Sequence, residues 1–290
     1  MAQESYKQNL HEKAEFQRTF QIQLLFEENG VRPSTENIIA EMEKTFGKVD
    51  LISAGSLTAF GIRKYPVEYK DHQAVPAQLL ISDFEPFDKN SITALEKSQL
   101  WDCPDAEPLL DNCRYKLMLS DFMASGLDYK CRCEMLADWL ETVLRLFPDC
   151  TAVWTPSSGK LLRRKKILEN PVGGAGRFLL FGVNARFFNI EGTEDMIVDT
   201  LGLYAVGLPD IQYHFHGLDP NKVVNHAYNV ASYIFENDAP IKSGETIDGI
   251  SEFGIDRGVR WKCQYEMGLI QPSREVMDIC PGEYASGTRE

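Results

Sequence analysis

Met196-Ile-Val-Asp-Thr-Leu-Gly-Leu-Tyr-Ala-Val-Gly-Leu-Pro-Asp210 is the stretch whose reading decides the fold. A run this apolar, and β-branched at its start, does not belong on a surface; it reads as a strand. Gly207-Leu-Pro209 then turns the chain into a second strand, Asp210–Phe215. Asp219-Pro220 opens a helix, with a capping carboxylate followed by proline at the first helical position. Val223, Ala227, Val230, Ala231 and Ile234 make its apolar stripe, and Lys222, Asn225, Asn229 and Glu236 its wet one. The prediction is a hairpin with its covering helix, closed by a turn at Gly244-Glu-Thr-Ile-Asp-Gly249. Beyond it, Val259, Trp261, Cys263 and Tyr265 alternate with polar neighbours, and Glu275–Cys280 is a last short strand.

Upstream, Phe20, Ile22, Leu24 and Phe26 alternate with Gln21, Gln23 and Glu27, the period of a half-buried strand. Gly30 and Pro33 break it, and Ser34 caps a helix with Ile38, Ile39, Met42 and Phe46 on one face. Val49–Ile52, Leu57–Ile62 and Val75–Phe84 read as strands, with a polar connection at 63–73. The acidic, proline-bearing segment 104–112 reads as a boundary. After it the pattern returns: a strand at Arg114–Phe122, a cap at Asp128, a helix striped by Cys133, Leu136, Leu140 and Val143, and a strand at Thr151–Thr155. Lys160–Asn170 reads as a short helix whose basic run, Arg163-Arg-Lys-Lys166, is a solvated face. Phe178–Phe188 reads as a central strand.

The predicted class is α+β: two related β-α-β lobes with mainly antiparallel sheets and helices packed on one face. The expected division is a frayed N-terminus at 1–14, an N-terminal lobe at 15–104 and a C-terminal domain at 105–284.

Composition narrows the function classes. A net charge of −13 over 290 residues disfavours a grip on nucleic-acid phosphates or anionic membrane. No apolar run approaches the ~20 residues that cross a bilayer, and the polar N-terminus has no signal-peptide core. A cytoplasmic protein is expected. The seven scattered cysteines read as reduced, buried thiols. Cys131-Arg-Cys133 lies in a predicted helix, where neighbours two apart point about 200° apart and cannot share an ion.

Three stretches carry a family resemblance: Ala152-Val-Trp-Thr-Pro-Ser-Ser-Gly159, Asp199-Thr-Leu-Gly-Leu203 with Gly207-Leu-Pro-Asp210, and Gly244-Glu-Thr-Ile-Asp248. Over roughly 114–270 the chain resembles the bacterial DUF4261 domain, with Asp210 where that family more often has a glutamate. The resemblance implies no activity and no catalytic residue. Looser kin of that family include domains of toxin-immunity loci, which implies a protein-binding, immunity-like role with another protein as partner.

The chemistry-bearing candidates are Asp210, His214, His216, Gly244, Glu245 and Thr246. A His-x-His pair on a strand puts both imidazoles on one face, a start for a metal site. The strand's period, however, points Ile211, Tyr213 and Phe215 inward and His214 and His216 outward. His226 falls beside Lys222 and Asn229 on the helix's wet side, so the three histidines do not converge. Gly244 to Asp248 reads as a turn before it reads as a site. No nucleophile motif, metal set or cofactor is expected, and the first reading is a non-catalytic protein-interaction module. The alternative is a small metal-dependent or hydrolytic enzyme built around Asp210, His214 and Glu245.

Overall fold

A computed structural model describes residues 17–68, 74–252 and 254–287. The N-terminus at 1–14, expected to fray, lies outside them. The described residues divide into two compact units, one spanning 17–182 and the other beginning at Val183.

The first unit contains β1 (Gln21–Phe26), α1 (Thr35–Phe46), β2 (Val49–Ser53), β3 (Leu57–Glu68), β4 (Ala74–Ser82), β5 (Glu85–Pro86), α2 (Ala94–Lys97), α3 (Ala106–Asn112), β6 (Tyr115–Phe122), α4 (Tyr129–Leu146), β7 (Ala152–Thr155), β8 (Lys160–Arg163), α5 (Arg164–Leu168) and α6 (Arg177–Gly182). Its strands form one antiparallel sheet in the order β2-β3-β4-β6-β1-β7-β8, with β5 on β6. The class is α+β, as the alternating periods predict. The two β-α-β passages do not make separate lobes, however. Gln21 faces Ser120 of β6, and Gln23 faces Trp154 of β7, so strands of both passages lie side by side.

The expected boundary at 104–112 therefore falls inside a unit. It folds as α3, whose Ala106, Leu109 and Leu110 are buried in one cluster with Leu25, Trp154 and Leu161. A helix that seats its leucines against the sheet is core, and Pro108 is tolerated because it lies in the first turn, where no intrahelical donor is lost. This layer explains why Leu24 and Leu25, on opposite faces of β1, are both fully buried.

The caps act as the sequence predicts. Ser34 accepts from the Asn37 amide, and Asp128 from those of Lys130 and Cys131. On α4, Cys131 is exposed and Cys133 fully buried, so the two sulfurs point apart. The side chain between them is the unexpected one. Arg132 is fully buried and grips Asp121 of β6 through Nε (2.6 Å) and Nη2 (3.2 Å), while Asp121 also accepts from the Phe20 amide. One ion pair thus ties α4, β6 and the chain entering β1.

Two segments differ from their sequence reading. Lys160–Asn170 is a strand, β8, followed by the short α5 rather than one helix. Its basic run is largely consumed internally. Arg163 pairs with Asp105, Lys166 and the buried Lys160 with Asp102, and Arg164 donates twice to the Leu144 carbonyl. Phe178–Phe188, expected as one strand, begins as α6, because Phe178 and Phe181, three apart, pack on one helical face.

The second unit contains β9 (Asn184–Asn189), β10 (Met196–Leu201), β11 (Asp210–Phe215), α7 (Pro220–Glu236), β12 (Thr246–Ser251), β13 (Gly254–Met267) and β14 (Glu275–Cys280). The sheet order is β12-β13-β14-β11-β10-β9, with only β11 and β14 parallel. Helix α7 packs on β9, β10, β11 and β12, the covering helix expected from Asp219-Pro220. Between β10 and β11 the chain makes a short 3-10 turn, Leu203–Val206, where the apolar run predicts a strand as far as Gly207.

Candidate functional site

Strand β11 has Ile211, Tyr213 and Phe215 on the α7 side and Asp210, Gln212 and His214 on the other. The predicted alternation is present, but neither face is wet: all six residues are buried. The far face carries a row of polar side chains that register places side by side. Arg186 of β9 faces Asp199 of β10, Asp199 faces Gln212, Gln212 faces Asp278 of β14, and Asp278 faces Gln264 of β13.

Hydrogen bonds knit this row together. Arg186 donates to both Asp199 oxygens at 2.8 and 2.6 Å. Arg274 donates from Nη2 to Asp199 at 2.7 Å and from Nε to Asp210 at 3.1 Å. Asp210 also accepts from the Thr200 hydroxyl and the amides of Gly202, Leu203 and Tyr204. The 3-10 turn is thus wrapped around one carboxylate, and Gly202, with φ at 139°, supplies a backbone other residues rarely adopt. Burial pushes the Asp210 carboxyl above its usual range, while Arg274 and the Leu203 amide pull it back. Gln212 donates to Glu266 and Asp278 and accepts from the Leu269 amide at 2.7 Å. With Arg186 on the Gln271 carbonyl and Arg274 on those of Ile270 and Pro272, the row holds the loop 268–274 against the sheet.

The predicted site residues do not converge. Asp210 and His214 are four residues apart on one strand, about 13 Å. Glu245 precedes β12, separated from β11 by β13 and β14, about 14 Å at ordinary strand spacing. Gly244, with φ at 91°, makes the turn, Glu245 closes it by accepting from the Lys242 amide at 2.7 Å, and Thr246 is an exposed strand start.

His226 departs from its expected place. It is buried rather than wet, with Nδ1 2.6 Å from the Tyr213 hydroxyl and Nε2 2.9 Å from the Asp248 carbonyl. A carbonyl only accepts, so Nε2 carries the proton and Tyr213 donates to Nδ1. Burial holds this imidazole below its usual pKa, opposed by the Asp248 carbonyl. Since Tyr213 and His214 project from opposite faces, His226 and His214 lie on opposite sides of the sheet. Among the described residues, no three His, Cys, Asp or Glu side chains are placed to hold a metal ion.

His214 and His216 do join a cluster that the sequence did not suggest. Ser286 Oγ lies 2.7 Å from Asp195 Oδ1 and 3.0 Å from His216 Nδ1, and His214 Nε2 lies 3.5 Å from Asp195 Oδ2. Backbone bonds from the His216 amide to Tyr284 O, and from the Ser286 amide to His214 O, lay the C-terminal segment along β11. An ionised carboxylate only accepts, so the serine proton goes to Asp195 and His216 Nδ1 must donate to Oγ. That polarity is opposite to the one in which a histidine base activates a serine. Asp195 and Ser286 are far apart in sequence, and no spacing signal could have joined them.

The family comparison belongs to this unit. The model of DUF4261, a domain of unknown function, matches residues 199–280. The match runs from Asp199 to the end of β14 and contains Asp210, Gln212, Arg274 and Asp278. It is narrower at its start than the resemblance over 114–270: Ala152–Gly159 lies outside it, while Asp199–Asp210 and Gly244–Asp248 lie inside. No curated protein and no solved structure matches the chain. Among the described residues, no helix is long and apolar enough to cross a membrane.

Proposed function

We propose that the protein is a non-catalytic interaction module whose partner is another protein. The observation that carries this reading is the use made of the buried acids in the DUF4261 segment. Asp199 and Asp210 are out of solvent and spend their oxygens on Arg186, Arg274, Thr200 and backbone amides. A carboxylate held this way fixes a loop and a turn, as a scaffold for a surface does, and has no approach for a substrate proton. The immunity-like role is the one that the resemblance to that family implies. The proposed setting is the cytoplasm, where seven unpaired thiols persist.

The alternative, a small enzyme using His214 and its neighbours, is set back by the polarity of the Asp195–Ser286–His216 chain, which does not activate the serine. Affinity capture with the tagged full chain, from extracts of the organism that encodes it, separates the two. The expected result is a stoichiometric protein partner retained by wild type and by His216→Ala alike. Stoichiometric zinc, iron or manganese in chelator-free preparations, lost in His214→Ala and His216→Ala, would sink the interaction reading.

A further inference from the structure

The first unit has a pocket of about 440 Å3 between the loop that follows β1 and the end of α4. That size is within the range of ligand-binding clefts. Phe26, Phe84 and Phe147 line it and contact one another edge to face, with centroids 4.8 to 6.0 Å apart. The loop crosses this aromatic cluster at Gly30, where a Cβ would fall 2.6 Å from Phe84 Cζ. Val31, at the same mouth, is 91% exposed, the barest large apolar side chain among the described residues.

Three carboxylates stand on the rim: Glu27, Glu28 and Asp149. All are exposed, and none pairs with a cation among the described residues. Several cations of the same unit are engaged elsewhere: Arg32 with Asp83, Lys44 and Arg145 with Glu41, Arg63 with Asp50, and Arg177 with Asp138. Arg145, two residues before Phe147, is turned away to Glu41 and Thr45. Negative charge is left uncompensated beside the half-buried Phe84 and a bare valine, with Phe26 and Phe147 buried beneath them.

We propose that this pocket receives a lysine or arginine side chain from a basic, partly apolar segment of a protein partner. The inference rests on the reading of the chain as an interaction module and supplies its contact surface. The rim carboxylates meet the charged head in bidentate or single hydrogen bonds. The half-buried Phe84 and the apolar wall of the pocket take the side chain's methylene stem. Val31 takes an apolar neighbour on the segment. An acidic chain of net charge −13 adds long-range attraction for such a partner.

The test uses the full chain and a fluorescein-labelled, end-capped heptapeptide bearing two arginines and a leucine. Its counterpart carries citrulline, the neutral isostere, at both arginine positions. Fluorescence anisotropy at low ionic strength should show saturable binding of the arginine peptide, about tenfold or more tighter than the citrulline peptide. Glu27→Gln/Glu28→Gln/Asp149→Asn should weaken it by about tenfold or more. Glu191→Gln/Glu194→Gln/Glu283→Gln, an equal change of net charge in the other unit, should leave it unaltered. Should the triple rim variant misfold by circular dichroism, Glu28→Lys alone replaces it.

Equal affinity for the two peptides, or equal loss in the two triple variants, would overturn the proposal. So would N-acetylarginine amide binding as tightly as the peptide, since the site would then be one for free organic cations. A partner captured equally by wild type and the rim variant would overturn this surface and leave the interaction reading intact. Rim-dependent peptide binding with no partner captured would do the reverse.

Discussion

Arg274 and Asp210 tie a loop and a turn to the same strand: Nε lies 3.1 Å from Oδ2, and both side chains are out of solvent. Breaking one side of such a buried pair strands the other charge, which typically costs about 3–5 kcal/mol. Arg274→Met should therefore destabilise the second unit by that order, measured by urea unfolding. Because the chain has two units, the loss should appear in one of two transitions, and 268–274 should become the first site of limited proteolysis. An unchanged midpoint with unchanged cleavage would refute the scaffold role.

Much of this unit was legible in the sequence because its signals are local. The apolar run, the Asp219-Pro220 cap and the alternation through Trp261 each lie within a few residues. What escaped is what depends on distant partners. His226 shares a helical face with Lys222 and Asn229, and nothing nearby says that Tyr213 and Asp248 satisfy both of its ring nitrogens. The 104–112 segment has a linker's acids and prolines, yet Leu109 and Leu110 find Trp154 and Leu161. Likewise, no local pattern reveals that Arg163 and Lys166 are neutralised by Asp105 and Asp102.

The buried imidazole gives a pH dependence with a definite sign. His226 has a folded pKa below its ordinary 6.5, because burial disfavours the cation. Its contribution is complete above that value and is lost as pH falls through the folded pKa. Thermal stability should drop as pH falls below about 6.5. His226→Gln, which can accept from Tyr213 and donate to Asp248, should flatten that slope. Identical slopes in variant and wild type would rule the imidazole out as the source.

A second, more acidic step belongs to Asp102. Burial alone would raise its pKa, but Lys160 and Lys166 overcome burial and bring it to about 2. Its folded value is depressed from 3.8, so its stabilisation is present above that pH and fades as pH falls through about 2. Comparing wild type with Asp102→Asn by chemical unfolding from pH 5 downwards should show their difference shrinking over that window. A constant difference would mean the lysines pair with something else in solution.

Thiol reactivity should sort the cysteines by place. Cys131 is exposed and Cys280 half-buried, whereas burial pushes Cys113, Cys150 and Cys263 up to about 12. Under native conditions a maleimide should label Cys131 fast and Cys280 more slowly. The other five thiols should react only on unfolding. Fast labelling of Cys150 or Cys133, identified by peptide mapping, would contradict the packing around α4 and β7.

The position of β1 between β6 and β7 governs how the protein is made. The strand leaves the ribosome before both of its neighbours, which emerge about a hundred or more residues later; at about 5–20 residues per second that means a wait of several seconds. During that wait Ile22, Leu24, Leu25 and Phe26 have no sheet to join, and pairing across such a separation closes slowly even afterwards. Nascent chains cut before β7 should therefore remain protease-sensitive and bind chaperones, however complete α1 and the β2–β4 meander are. Only when Tyr115–Phe122 clears the exit tunnel can β1 pair, and only when Ala152–Thr155 follows does it gain its second neighbour, so the first unit matures late, as a whole.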